Sequence, residues 1–415
     1  MPAKSGGVHL SSLPTVTPEM RTWKFWVKTP SSVQDPVSVQ ARIRGGLDNL
    51  GERSSSSPPD LTPPQGFLAN GQAWSPARWM AMTSQARAAE PVLEYGFTVT
   101  RASLRSWPTH EACYRHADDR EFDQFQETRV HLFEPLVVTA RSQDGRWCWV
   151  RSEIAAGWMS TSDLALTSRE TWTDYRDRGR PHVTIWANGV RTEPQPYDAL
   201  VSNRPLEFAC RLPLRSSRLP SDIGHQHPLG HYVVELPVRE DDGRLSLRPA
   251  LIKRGDSVQE GYLPCSRTEV ARSAFRLLGD RYAWGDLIGT HDCSSLVMDV
   301  YRTLGIQLPR NSAVQAKSLP SMASWTKEDT EEKRLSDLKM AKLGDILTMP
   351  GHVMLFLGFD QGDAYAIHAF VGYGERSEGG INQVWVNAVE VSNLAMLTRS
   401  GTSYLQQLTG VLPVL

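Results

Sequence analysis

In the C-terminal third of the chain, apolar residues recur first at helical spacing and then at strand spacing. Ser266-Arg-Thr-Glu269 has the form of a capping box, and Val270, Ala274, Leu277 and Leu278 then share one helical face until Gly279 supplies a stop. A second helix is predicted from Cys293, where Leu296, Val297, Val300, Tyr301 and Leu304 form an apolar stripe closed by Gly305. Charged residues dominate Lys327–Lys342, which predicts a solvated excursion. Three strand-like runs follow at Val353–Phe359, Ala364–Phe370 and Val384–Val391. Helices first and strands after predict an α+β domain over residues 264–415.

Two upstream stretches share short motifs in the same order. The first runs from Leu104-Arg-Ser-Trp-Pro108 through Asp144-Gly-Arg-Trp-Cys-Trp149 to Gly157-Trp-Met159. The second runs from Val190-Arg-Thr-Glu-Pro194 through Asp242-Gly-Arg-Leu-Ser-Leu247 to Gly261-Tyr-Leu263. Asp-Gly between alternating apolar residues signals a hairpin, so two small all-β domains are predicted, 89–170 and 175–263. A glycine-aromatic pair closing short strands resembles bacterial SH3-like barrels. Residues 1–88 read as an N-terminal arm with an extended Ser/Pro-rich segment at 54–66. A helix follows over Ala77–Ala89, with Ser75 as its cap and Pro76 in its first turn.

At 415 residues the chain is long enough for two to four domains. A formal net charge of −1, with no basic stripe, sets nucleic acid aside as a partner. No apolar run reaches the ~18 residues a membrane span needs, and the opening residues show no secretory h-region. The chain is read as a monomer. Thirteen Trp suit either core filling in small barrels or a surface that binds peptides or sugars. The five Cys (113, 148, 210, 265 and 293) form no CxxC pair, so no zinc site and no cofactor is expected. An odd count leaves a free thiol, and the four other than Cys293 read as small buried hydrophobes.

Four features of the last domain carry chemistry. Asp292 as helix N-cap places Cys293 in the first turn, where the helix dipole and unpaired N–H groups favour a thiolate. His352 opens a strand beside a turn, with Met354 and Phe356 on its face and Val353, Leu355 and Leu357 on the other. His368, on the next strand, can meet His352 if the two strands form a hairpin, and so fix its tautomer. Tyr282, in Tyr282-Ala-Trp284-Gly285, could donate to the thiolate or to a developing oxyanion.

Taken in order, Tyr-x-Trp-Gly, Asp-Cys-Ser, Leu308-Pro-Arg310 with Gln315, Gly-Asp, Gly-His-Val and a later His closely resemble the NlpC-type family of papain-like cell-wall cysteine peptidases. The resemblance covers about residues 265–415, and two SH3-like barrels after an arm match a subset of that family. It implies Cys293 as nucleophile, His352 as general base, His368 as orienting residue and Tyr282 as helper at the oxyanion. Asp292, Ser294 and Trp284 would contact substrate. That subset cleaves the γ-D-glutamyl–diaminopimelate bond of peptidoglycan stem peptides, a step of murein peptide recycling. The first barrel is expected to wall off the groove, restricting cleavage to stems with a free L-alanine amine, with Asp123 or Glu127 as candidate partners for that amine. The substrate implies a periplasmic or extracellular location, with any signal trimmed. Two departures stand out: Gly285-Asp286 where many relatives have Gly-Gly, and Ser295 where many have Gly.

The chemistry that follows is acyl transfer through a thioester, with no metal. Loss of activity on thiol alkylation and a bell-shaped pH profile are expected. An amidase or acyltransferase of the same superfamily is a second reading. A non-catalytic wall-binding protein is a third, and it would lack the nucleophile or the base.

Overall fold

The computed structural model describes residues 16–43, 65–176, 179–215 and 220–415, and the chain divides into two compact units. One comprises residues 16–43, 264–282 and 292–415; the other comprises residues 65–263 and 283–291. The stretch read as a single arm is therefore divided between them. Most of the Ser/Pro-rich segment lies outside the described residues.

Residues 16–43 pack as an integral part of the first unit. They carry α1 (Trp23–Trp26) and α2 (Pro36–Gln40), the latter capped by the Asp35 carboxylate. Trp26 donates to the Met20 carbonyl at 2.8 Å and its ring lies 5.3 Å from that of Tyr365. Gln40 makes a reciprocal pair with the main chain of Gln307, at 2.6 and 3.1 Å.

The second unit opens with α3 (Pro76–Arg87), which starts where Ser75 accepts from the Arg78 N–H. Seven antiparallel strands follow: β1 (Glu90–Thr98), β2 (Ala102–Arg105), β3 (Gln126–Val130), β4 (Pro135–Arg141), β5 (Trp147–Arg151), β6 (Ala156–Ser160) and β7 (Leu164–Thr167). Their order in the sheet is β3-β2-β6-β5-β4-β1-β7. The β4–β5 connection is the predicted Asp144-Gly145 hairpin, with Gly145 at φ 68°. After α4 (Arg169–Arg176) come β8 (His182–Ile185), β9 (Val190–Arg191), β10 (Pro205–Leu206), β11 (Arg211–Pro213), β12 (His231–Arg239), β13 (Leu245–Lys253) and β14 (Val258–Glu260). Strands β11, β8 and β14 form one small sheet, and β12 and β13 pair over their whole length around the second Asp-Gly turn. One apolar core runs through both halves, from Phe97, Leu132 and Trp172 to Val183, Leu236 and Ile252. Residues 89–170 also hold a core of their own, from Ala102 and Leu104 to Val150 and Leu164. Eight of the thirteen Trp are buried, so most act as core filling.

The first unit then continues with α5 (Arg267–Phe275), α6 (Cys293–Arg302), α7 (Ser312–Gln315), β15 (Ala323–Ser324), α8 (Glu331–Leu338), β16 (Ile346–Met349), β17 (His352–Asp360), β18 (Asp363–Ser377), β19 (Gly380–Asn393), α9 (Tyr404–Gln407) and β20 (Gly410–Leu412). The sheet order is β15-β20-β16-β17-β18-β19, antiparallel throughout. The charged excursion is not wholly solvated. It contains α8, whose Leu338 is fully buried, and Arg334 is buried with its guanidinium bonded to the carbonyls of Thr326 and Asp329. Two apolar residues, Leu335 and Leu338, and one long side chain aimed inward suffice to dock a short helix that is otherwise polar.

Candidate active site

Helix α6 starts where its sequence says it should. The Asp292 carboxylate accepts from the Ser294 and Ser295 N–H groups at 3.1 and 3.0 Å, and the Ser295 hydroxyl accepts from the Asp292 N–H at 2.9 Å. Ser295, where many relatives carry glycine, thus completes a capping box. Cys293 follows in the first turn, buried at 8% exposure.

Strand β17 brings His352 to the same place, since the N–H of the next residue, Val353, donates to the Cys293 sulfur. His352 Nε2 meets His368 Nδ1 at 2.7 Å, because β17 and β18 form the predicted hairpin. His368 is fully buried, stacks on Phe370 at 4.0 Å and reaches the Ser392 hydroxyl through Nε2 at 2.7 Å. Tyr404 packs edge-on against both imidazoles, 6.3 Å from His352 and 5.7 Å from His368.

The electrostatics differ from the expected stabilised thiolate. Burial, with the Asp292 charge adding to it, pushes the Cys293 thiol up to about 12, against the N–H groups of Val353 and Ser294 and the charge of Arg310. Burial takes His352 down to about 4, despite Asp292, and holds His368 well below the ordinary imidazole range, with His352 adding to it. A helix N-terminus favours a thiolate, but an enclosed sulfur beside a carboxylate loses more hydration than it regains. Both shifts favour the neutral thiol and the neutral imidazole over the ion pair at rest.

Asp292 and Ser294 are taken up by the protein itself. Arg310 donates to both Asp292 oxygens, at 3.1 and 2.7 Å, and to the Ser294 hydroxyl at 2.9 Å. Burial works to raise the Asp292 carboxyl, but Arg310 and the N–H of Ser295 outweigh it and hold it below its usual range. Gln315 ties the same turn down, donating to the Ser294 and Pro309 carbonyls at 2.9 and 2.7 Å. Both side chains thus have a cap-and-clamp role within the protein itself.

Tyr282 is half-buried and its N–H donates to the Asn387 carbonyl at 2.8 Å. Tyr404 also feels the nucleophile: its hydroxyl is pushed up to about 12 by burial and then by the charge of Cys293. Trp284 is 43% exposed and belongs, with residues 283–291, to the β-rich unit, its ring 5.9 Å from Phe122. There Gly285 sits at φ 54° with no room for a Cβ, which would lie 2.8 Å from the Gln126 side chain. Asp286 also takes positive φ, 61°, and is held by Arg101 and Thr128 at 3.8 and 3.4 Å. An aspartate tolerates the conformation that glycine meets in many relatives because its carboxylate is anchored. Asp123, one of two candidates for a substrate amine, is buried and bonded to Arg105 at 2.9 Å; Glu127 is exposed.

Arg310 was visible in sequence only as part of a motif, and Tyr404 and Ser392 carried no local signal at all. Among the described residues, no group of three or more His, Cys, Asp or Glu could hold a metal ion, and no helix is long and apolar enough to cross a membrane.

A cysteine in the first turn of a helix, a histidine on β17 and a second histidine on β18 form the kind of arrangement that thiol acyl transfer uses. Residues 279–390 match the NlpC/P60 family, and residues 108–160 match the SH3 domain of SH3b1 type. The fold is similar to that of a novel NlpC/P60 endopeptidase from Photobacterium damselae subsp. piscicida, with a TM-score of 0.72 at 17% identity over 90% of each chain. It also resembles an NlpC/P60 family protein from Bacillus cereus ATCC 10987, with a TM-score of 0.51 at 18% identity, over 77% of this chain and 99% of that one. No curated relative matches by sequence.

Proposed function

We propose that this chain, a cysteine peptidase acting on peptidoglycan, hydrolyses the γ-D-glutamyl–diaminopimelate bond of stem peptides that carry a free N-terminal L-alanine. The observation that carries the reading is the Cys293, His352, His368 series within the NlpC/P60 match, with the two imidazoles 2.7 Å apart. The bond and the free amine rest on the resemblance to family members with SH3-like domains ahead of the catalytic one. Residues 175–263 are read as a second such domain, supported by the ordered motif repeat and by the β12–β13 hairpin.

Cys293 attacks the γ-glutamyl carbonyl as its proton passes to His352. The imidazolium then protonates the departing amine of diaminopimelate, leaving a thioester. His352 next takes a proton from water, the hydroxide attacks the thioester, and the acid leaves as the thiol is restored. His368 keeps the ring of His352 oriented through both halves of the cycle. The compartment proposed is the periplasm or the cell exterior, where this polymer lies, and a monomer suffices for the chemistry.

Mass spectrometry of the protein with L-Ala-γ-D-Glu-diaminopimelate tests the reading. Release of L-Ala-D-Glu by wild type and not by Cys293→Ala supports it. No cleavage of the tripeptide or of intact muropeptides refutes it and favours an amidase, an acyltransferase or a wall-binding module.

A further inference from the structure

We infer that Ser392 is a positioning residue for the two histidines, its hydroxyl holding the His368 ring with Nδ1 toward His352. The inference rests on the roles of Cys293, His352 and His368 proposed above. His368 Nδ1 lies 2.7 Å from His352 Nε2, and His368 Nε2 lies 2.7 Å from the Ser392 Oγ. Ser392 reaches this position because β18 and β19 pair, with His368 opposite Glu390 and Ser392 two residues further along β19. It is 1% exposed, and no water can take its place without opening the core.

The need for an acceptor follows from proton bookkeeping. Once His352 has received the Cys293 proton, both its ring nitrogens carry hydrogen, so its Nε2–H must donate to His368 Nδ1. That nitrogen is then a lone pair, and a neutral His368 bears its proton on Nε2. Burial keeps His368 neutral. The Nε2–H points into the protein interior, where Ser392 Oγ is its acceptor. A hydroxyl can also donate, so the same residue serves His368 when the neutral ring carries its proton on Nδ1. Stacking on Phe370 fixes the ring plane, but a 180° flip within that plane would put carbon where both hydrogen bonds are made. Only the Ser392 bond distinguishes the two orientations at that end. The titratable groups around His352 are Asp292 and Cys293 on α6, His368 on β18 and Tyr404 on α9. None of them supplies the missing acceptor to His368 Nε2.

The variants Ser392→Thr and Ser392→Val isolate the hydroxyl, since they share a shape and differ in that group. With the stem tripeptide as substrate, Ser392→Thr is expected to retain most of kcat. Ser392→Val is expected to lose kcat by roughly ten- to a hundred-fold at unchanged KM. Equal kcat in the two folded variants overturns the inference. Should either fail to fold, Ser392→Ala is compared with wild type, and a kcat within about two-fold of wild type overturns it. An active His352→Ala protein would instead overturn the underlying roles. Inactive Cys293→Ala and His352→Ala proteins beside an undiminished Ser392→Val would overturn only the part given to Ser392.

Discussion

Arg310 grips the carboxylate of Asp292 from both sides, at 3.1 and 2.7 Å, one residue before the nucleophile. The pair is nearly enclosed, each residue below a tenth exposed. Its geometry is a bidentate fork, which a lysine cannot reproduce. Arg310→Ala leaves a buried carboxylate unpaired and is expected to cost about 3–5 kcal/mol. Arg310→Lys should restore part of the stability and little of kcat, because the first turn of α6 loses its two-point hold. Thermal denaturation and kcat measured on the same preparations check both. A fully active Arg310→Ala protein would refute the clamp.

The neutral resting pair sets the pH dependence. With the base near 4 and the thiol near 12, kcat/KM should hold a broad plateau through neutral pH and fall only as pH approaches about 4. An acid limb centred near 6.5 would show instead that His352 titrates as a solvated imidazole.

Stability follows from the same shift. The unfolded chain binds a proton at His352 below about 6.5, whereas the folded site does so only near 4. The unfolded state therefore carries more protons in that window, and stability falls as pH drops from 6.5 to 4. His368, also held down by burial, adds to the slope. Urea midpoints at pH 7, 5.5 and 4.5 should decline in wild type and decline less in His352→Gln.

Gly285 has no tolerance for a side chain. A methyl would enter the space of Gln126 Cγ at 2.8 Å and force positive φ on a residue that resists it. Gly285→Ala is expected to destabilise the β-rich unit by about 1–3 kcal/mol, measured by differential scanning calorimetry. Replacing Asp286 by glycine keeps the φ but removes the carboxylate beside the buried Arg101, and should also lower the transition.

Trp26 ties the N-terminal segment to the sheet through its ring contact with Tyr365 and its hydrogen bond to Met20. Trp26→Ala is expected to cost the helix-and-sheet unit about 1–3 kcal/mol. Limited proteolysis should then cut within residues 16–43 before any cut in the sheet. Unchanged protection would show that the segment is held elsewhere.

The parts of this site that sequence disclosed are those written locally. Asp292, Cys293 and the stripe behind them announce a capped amphipathic helix, and the two histidines lie on neighbouring strands of one hairpin. Both Asp-Gly turns were legible for the same reason. Arg310 and Ser392 were not, because their partners are set by packing and by strand register, and neither leaves a periodic mark. The sign of the thiol shift was missed for a related reason: the helix end is visible in the sequence, but the depth of burial is not. The two β stretches showed separate turn motifs, yet the core that joins them arises from side chains such as Phe97 and Ile252.

Residues 16–43 and 292–415 complete one unit, although the whole β-rich body lies between them along the chain. During synthesis residues 16–43 emerge well before, and must wait for, partners such as Gln307, Tyr365 and Val414. The inserted body has its partners within reach much earlier, apart from residues 283–291, and can fold as it emerges. Closing so long a loop is slow but, once made, costs little more than a loop of half the length. The nucleophile is therefore assembled only after the strands through β20 have been made, and a chain cut short before them has a folded β-rich body and no hydrolase.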